Sequence, residues 1–505
     1  MLQFNMETKR INELIMEGAA SKISDKQFLE LELRKFLKSP GRKNMILGND
    51  YYEYRQDILN KKRKVLDENG KLKECDSLPN NMFIDSEYSE MVDQKVNYLL
   101  SKPLTFKTDN EKYAAALKTV FNKRFQKLLK NIGKDSYNGG IGWIYPYYDE
   151  KGEFKFKCFK PWEILPFWKD DEHEELDFAA RVYDILKYEG NREVKVSYCE
   201  VYDTAGIHKF KIHETDNSFT LVPDYQTYYF EFPDIEEGEA IPYNWDRVPL
   251  IAFKSNNAEM PLLKKCKSLQ DGINQMLSDF ADIMQENSSG SSILVIKNYD
   301  GTDLGEFRAN LSTYRAVKIR TVDGVDGGVD TLKIEVNSEN YNAILKELRK
   351  ALIRNCKGYD IDELKSSGSP NEMTIKSVYS DIDLDANELE TEYQSSFEQL
   401  MWFVNTYLKN AGIGDFFNED LDIIFNRDMM VNESQVITDL NNSRDILSQK
   451  TLIANHPYIA NVEAELEQIE EEKQANIEQY GLAFNTPTQN EPNPDDPDDV
   501  EDNNE

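Results

Sequence analysis

The chain has 505 residues, room for about three domains, and its 40% hydrophobic and 30% charged content is that of a globular protein. The formal net charge is −32; nine acidic residues follow Gln474, leaving about −23 on the rest. That sign disfavours a protein that grips duplex DNA, because such affinity comes from Lys and Arg displacing counterions from phosphates.

The five cysteines (Cys75, Cys158, Cys199, Cys266, Cys356) form no CxxC pair and read as reduced, intracellular thiols. The opening residues lack the apolar core of a signal peptide. No stretch approaches the ~18 apolar residues of a membrane span. A soluble cytosolic product is expected, with no membrane partner.

In chain order, residues 1–45 read as helices, the first through Ile11, Leu14 and Ile15, the second through Phe28, Leu29, Leu31, Leu33 and Phe36. Ser39-Pro40-Gly41 breaks the pattern. Asp67-Glu68-Asn69-Gly70 is a turn between short strands. Helices are predicted over 84–101 and 111–133. From Ile141 to Phe253 the chain is strand-rich and aromatic, with alternations such as Phe154-Lys155-Phe156-Lys157 typical of half-buried strands. Basic-aromatic interleaving can also signal single-stranded nucleic-acid binding, but Asp and Glu are mixed in freely, so sheet core is the better reading.

A helix over 261–286 repeats Leu262, Cys266, Leu269, Ile273, Met276, Phe280 and Met284 on one face. A second, over 339–357, repeats Tyr341, Leu345, Leu348 and Leu352. Opposite those stripes lie Asp271, Asp279, Asp282 and Glu286 on the first helix, and Lys346, Lys350, Arg354 and Lys357 on the second. Two solvated faces are one reading. The other is a closed ring in which the acidic face of one copy meets the basic face of the next. Between the helices lies a block with strand and turn signals.

The loop 358–371 follows, then a helix start at Ser369-Pro370 completed by Glu372. A long helix continues through Leu389, Tyr393, Phe397, Leu400, Val404 and Leu408, with a kink expected at 381–385. A strand is expected at 421–426 and helices over 433–478, broken at His456-Pro457. The last 25 residues, rich in Pro, Asn and Asp, are expected to be disordered.

Few patterns carry chemistry. The four histidines show no metal-ligand spacing, and no phosphate-binding GxxxxGK[ST] occurs. Asp381, Asp383, Asp385 and Glu392 fall at calcium-loop spacing, with Asn387 at position seven. However, Ala386 stands where such a loop needs Gly. The alternative is the first turn of a helix, where acidic residues are favoured. No cofactor is expected.

Several segments, taken in order, carry a resemblance. They are NDYYEYRQDILNKKRKV (49–65), LPNNMFIDSEYSEMVDQKVNYLLSKPLTF (78–106), VPLIAFKSNNAEMPLL (248–263), NYDGTDLGEFRANLSTYRAVKI (298–319) and SDIDLDANELETEYQSSFEQLMWF (380–403). From about residue 40 to 475 the chain resembles the portal proteins of tailed bacteriophages, the head-to-tail connectors of siphophage type in Gram-positive hosts.

The resemblance implies an α+β fold of portal-type architecture. An α/β wing would take 1–256, stem helix one 257–290, a small β-containing clip 291–337 and stem helix two 338–357. The tunnel loop would take 358–371, the long wing helix and strand 372–431, an α-helical crown 432–480 and an acidic tail 481–505. It implies no enzyme but a homo-oligomeric ring of twelve copies at one capsid vertex of the virion, assembled in the host cytoplasm. Double-stranded DNA would pass through it during packaging and ejection, without specific readout. Partners would be terminase, a head-completion adaptor, and capsid and scaffold proteins.

Carried onto this chain, the tunnel loop would present Lys365, Ser366, Ser367 and Gly368 to the channel. The clip would dock partners through Ile293, Val295, Tyr299, Arg308 and Tyr314, and Ile293–Ile296 and Tyr314–Ile319 would pair across subunits. A first stem helix of 26 residues spans roughly 39 Å. Twelve such helices at roughly 9–10 Å spacing leave a bore of roughly 25–30 Å, wide enough for a duplex. A metal-dependent nuclease around Asp381 and Asp383, or a scaffold that forms no ring, are the rival readings.

Overall fold

The computed structural model describes residues 26–484 except 67–69, 77, 214–217, 223–226, 234–239, 289–292, 333–337, 361–371, 429–432 and 460–461, and 298–325 apart from five isolated positions. The chain divides into two compact units, one of residues 1–366 with 378–429, the other of 367–377 with 430–505.

The first unit opens with α1 (Lys26–Lys38), which lays Leu29 and Leu33 on a sheet. Ser39 separates it from α2 (Pro40–Tyr52) by a single residue: its hydroxyl accepts from Arg42 N, and Pro40 takes the first helical turn. The short pair β1 (Lys64–Leu66) and β2 (Leu72–Glu74) is antiparallel. Next come α3 (Glu87–Leu100) and β3 (Thr105–Lys107). The single helix expected over 111–133 is two, α4 (Glu111–Val120) and α5 (Lys123–Gly139). Asn122 divides them, its side-chain oxygen accepting from the N–H groups of Arg124 and Phe125. An Asn competes with the helix ladder by capping a new one.

The strand-rich body forms two sheets. In one, β4 (Ile141–Tyr148) is flanked by β5 (Phe154–Phe159) and β13 (Ile251–Lys254). The other is an antiparallel meander of β6 (Ile164–Trp168), β7 (Leu176–Glu189), β8 (Arg192–Asp203), β9 (Gly206–Ile212) and β10 (Phe219–Leu221). The short pair β11 (Phe230–Pro233) and β12 (Ala240–Tyr243) follows the meander and precedes β13 in sequence. Phe167, Phe178, Val201 and Phe219 of the meander pack against Leu29 and Leu33. The alternating Phe154 and Phe156 of β5 pack half-buried against a separate cluster that includes Tyr113, Leu117 and Val404, so the aromatic alternation is sheet core.

The helical hairpin consists of α6 (Leu263–Ser288) and α7 (Ser338–Asn355), each within two residues of its expected bounds. Leu345 and Leu352 are buried, Ile273 is buried on α6, and the rings of Phe280 and Tyr341 lie 5.0 Å apart. Between the helices, β14 (Ile293–Lys297) pairs antiparallel with β15 (Gly328–Leu332), Ile293 opposite Leu332. The first clip strand thus already has a partner in its own chain. Tyr314–Ile319, expected to pair with it across subunits, lies outside the described residues.

Helix α8 (Glu372–Asn410) runs without interruption through 381–385, where a kink was expected. Leu389, Tyr393, Phe397, Leu400, Val404 and Leu408 are all buried along it. Phe253 of β13 meets Tyr393 and Phe397 edge-on at 5.0 and 5.5 Å. Strand β16 (Asp422–Ile424) pairs with β3. The second unit holds α9 (Glu433–Asn442), α10 (Gln449–Ala454), capped by Ser448, and α11 (Val462–Phe484). Among the described residues no helix is long and apolar enough to cross a membrane. The first predicted helix with Ile11, Leu14 and Ile15, the Ser369-Pro370 cap and the tail from 485 lie outside the described residues.

Candidate functional site: the helical hairpin

A row of polar side chains runs along α6 at helical spacing four: Gln270, Asn274, Ser278 and Asp282. All four are fully buried. What covers them is the segment leading into α3, laid antiparallel along the helix. Asn81 N donates to Asp282 Oδ1 (2.6 Å), Phe83 N to Ser278 Oγ (3.0 Å), Asp85 N to Asn274 Oδ1 (2.9 Å) and Tyr88 N to Gln270 Oε1 (3.0 Å). From Asn81 to Asp85 the registers match because two extended residues rise about 6.6 Å and four helical residues about 6.0 Å; the last step, three residues to Tyr88, enters the first turn of α3. An irregular segment without a β partner thereby satisfies its N–H groups on helix side chains, as buried backbone must. Asn274 Nδ2 also donates to Gln56 Oε1 (2.5 Å), bringing in the end of the α2 region.

The acidic residues of α6 belong to the same contact. Lys61 Nζ bonds Asp279 Oδ1 and Asp282 Oδ2, each at 2.8 Å. Arg63 Nη2 lies 2.7 Å from Glu286 Oε1. Tyr51 OH donates to Asp271 Oδ1 (2.5 Å), whose other oxygen takes Lys267 (2.7 Å). Burial would raise the Asp282 carboxyl, but the Asn81 N–H and the Lys61 ammonium hold it below the usual carboxylate range. The expectation of an outer acidic face is corrected here. Asp282 has no exposed side chain, whereas Asp271 and Asp279 keep about a third of theirs.

The basic row of α7 fares differently. Lys346, Lys350 and Arg354 are exposed and meet no acidic partner among the described residues. Arg349, which the sequence reading passed over, pairs with Asp85 and lies 3.0 Å from Glu87 Oε1. Burial and the Asp85 carboxylate push the Glu87 carboxyl up to about 7, against the pull of Arg349. Lys357, expected in the exposed row, is turned back by a left-handed backbone (φ 53°) and pairs with Glu388 at 3.3 Å.

The approach to the loop is held from three sides. Buried Lys95 donates to Lys357 O (3.2 Å) and pairs with Asp385 Oδ2 (2.7 Å), which also accepts from Tyr137 OH. Gln94 bonds both the N–H and the carbonyl of Tyr359. Cys266 and Cys356, scattered in sequence, are both buried free thiols, one on α6 and one just past the end of α7, and Cys266 Sγ donates to Leu262 O (3.8 Å). Lys365, Ser366, Ser367 and Gly368 lie outside the described residues, as do Tyr299, Arg308 and Tyr314. Of the docking residues, Val295 is exposed on β14, where Ile293 opens the strand.

The calcium-like spacing is also corrected. On an uninterrupted helix, residues two apart point roughly 200° apart and cannot converge. Asp385 faces Lys95, Asp383 faces Arg427 (2.7 Å) and Tyr98 (2.5 Å), and Asp381 is exposed. Glu392 is half-buried further along the helix. Among the described residues no group of three acidic, His or Cys side chains could hold a metal ion.

The chain is thus a body of sheets and helices that carries a long helical hairpin, much of whose polar surface is spent on internal contacts. Residues 41–479 match the model of the phage portal protein family, SPP1 Gp6-like, and the chain belongs to that family. It is 28% identical over 480 residues to the portal protein of Bacillus phage SPP1, covering 94% of this chain and 92% of that one. It is 26% identical over 447 residues to the portal protein of Clostridium phage phiCD119, covering 86% and 93%. A solved neck of a native gene transfer agent particle, computed with C12 symmetry, is similar at 12% identity over 73% of this chain and 88% of that one, with a TM-score of 0.37.

Proposed function

We propose that copies of this portal protein form a twelve-membered ring at one capsid vertex, with the α6–α7 hairpins as its stem and a central channel for double-stranded DNA. The observation that carries this reading is the family match over residues 41–479, which takes in both hairpin helices and the block between them. In the ring, 1–256 with 372–431 form the wing, 291–337 the clip, 358–371 the tunnel loop and 432–480 the crown. Lys365, Ser366, Ser367 and Gly368 meet the passing duplex, which is not read by sequence. The exposed Lys346, Lys350 and Arg354 face the neighbouring copy, where the part-exposed Asp271 and Asp279 are the available acidic partners. The clip, through Val295 and its neighbours, docks terminase during filling and a head-completion adaptor afterwards. Assembly takes place in the host cytoplasm, with scaffold and capsid proteins.

Native mass measurement with particle images of the same fraction tests this. A species near twelve times the 58.6 kDa chain, with a central hole, is the expected result. A discrete stable dimer that cleaves DNA on adding a divalent cation would overturn it.

A further inference from the structure

At the base of the hairpin, α1, α2, the two sheets and the segment leading into α6 line a cavity of about 400 Å³. This is within the size range of ligand pockets. One wall is a stack of three rings. Trp143 lies 5.8 Å from Trp168, and Trp168 lies 5.0 Å from His173 at an interplanar angle of 6°. Two of these rings are incompletely bonded: Trp143 Nε1 and His173 Nε2 are buried without a hydrogen-bond partner. Buried polar atoms are normally satisfied, so two on one cavity point to a ligand that would satisfy them.

Their chemistry differs. Trp143 Nε1–H can only donate. His173 Nδ1 lies 2.7 Å from Glu259 Oε1, so Nε2 is the ring nitrogen left for a ligand. The orphan indole donor complements the C=O of a peptide backbone, and the imidazole Nε2 offers a second polar contact on the same stack. The two outer rings of the stack are at most about 11 Å apart, a span of about three extended residues.

The backbone at this place is strained. His173 and Glu259 are both left-handed, with φ of 59° and 50°, and they bond each other. Gly140 holds the second from below: a Cβ there would lie 2.0 Å from Glu259 O. Strain of this kind collects at ligand clamps.

The mouth is acidic. The loop between β6 and β7 reads Lys169-Asp170-Asp171-Glu172-His173-Glu174-Glu175, and Asp171 and Glu172 both line the cavity and are exposed. Lys254 clamps this loop by donating to Glu172 O (2.7 Å). The Lys and Arg residues that line the cavity are Arg42, which donates to Trp162 O (2.9 Å), and Lys264, exposed at the start of α6.

We propose that this cavity docks an extended peptide segment of another protein, an aromatic or large aliphatic side chain filling it and flanking Lys or Arg residues meeting the Asp171–Glu172 lip. The proposal stands apart from the ring reading, since it concerns a site within one chain, where the sheets meet the start of α6.

The probe is acetyl-Lys-Leu-Phe-Lys-amide, titrated into the purified full chain with tryptophan fluorescence as readout, against acetyl-Glu-Leu-Phe-Glu-amide. Saturable binding of the basic peptide is expected with Kd of about 0.1–1 mM, with none for the acidic one. Asp171→Lys/Glu172→Lys, at exposed positions, should weaken it about tenfold or more. Ala258→Trp, an exposed position that lines the cavity, should plug it and abolish binding. Unchanged thermal midpoints would show that both variants fold. No saturable change with the basic peptide, equal binding of both peptides, or full binding by the plugged variant would each overturn the proposal.

Discussion

The two helices of the hairpin both carry long polar faces, with opposite fates. On α6, Gln270, Asn274, Ser278 and Asp282 vanish into contact with residues 51–88 of the same chain. On α7, Lys346, Lys350 and Arg354 stay exposed. A charged or polar row on a helix is usually read as a solvated face. The difference shows that the row records only what the helix offers. Whether water, a distant segment or another copy accepts it depends on what the rest of the chain brings alongside.

The largest effect should come from breaking the buried pair. Asp282→Leu leaves Lys61 with Asp279 as its one carboxylate and strands the Asn81 N–H, and should cost about 3 kcal/mol. By thermal unfolding, Lys61→Met combined with Asp282→Leu should recover much of that loss. A loss below about 1 kcal/mol for Asp282→Leu would mean that the charges do not hold the strap to α6.

Next in size is the neutral rung. Asn274→Leu leaves the Asp85 N–H without an acceptor, at a cost of about 1–3 kcal/mol. Amide hydrogen exchange gives the sharper view. Phe83, Asp85 and Tyr88 should be protected although they precede or only open a helix, and Asp85 should exchange faster in the variant. Rapid exchange at all three in the parent would rule the ladder out.

The pH response separates the two acids at this junction. The Glu87 carboxyl is raised to about 7, so its contribution is full below the ordinary glutamate range and is lost as pH rises through about 7. Asp282 is lowered, so its contribution is kept above the ordinary aspartate range and lost only as pH falls through its depressed value. Urea midpoints measured from about pH 4 to 8 should decline toward the upper end, and Glu87→Gln should flatten that decline. An unaltered profile in Glu87→Gln would assign the slope elsewhere.

The smallest effect on the chain itself belongs to α7. Lys346→Ala, Lys350→Ala and Arg354→Ala should each change stability by no more than about 0.5 kcal/mol. Under the ring proposal, however, Lys350→Glu should lower the yield of rings in native mass spectra. If ring yield is as indifferent as stability, the basic row is a solvated face and the comparison loses its functional half.

Much of the architecture was legible in the sequence. The apolar stripes of α6 and α7 predict both helices to within two residues, because a 3.6-residue period sustained over several turns fits a helix and little else. The same holds for the later part of α8. The break at Asn122 was missed, since one capping residue leaves the apolar pattern almost unchanged. The spacing-four row from Gln270 to Asp282 was visible, but nothing local says that residues 81–88 lie on it. The Trp143–Trp168–His173 stack was less legible still, because its members come from β4, β6 and the loop after it, and aromatic residues are common throughout that region.

By itself the sequence determined where helices and strands form, the acidic balance, and the ordered segments that mark the portal family. These depend on periodicity and composition, which are local. Only the tertiary structure decided which polar groups are buried. It turned Asp282 inward and left Lys350 outside, spread the Asp381–Asp385 carboxylates around one helix, and left Trp143 Nε1 and His173 Nε2 without hydrogen-bond partners beside a cavity. Burial and satisfaction depend on residues hundreds of positions apart, and the free energy of a polar group is set by what it meets there.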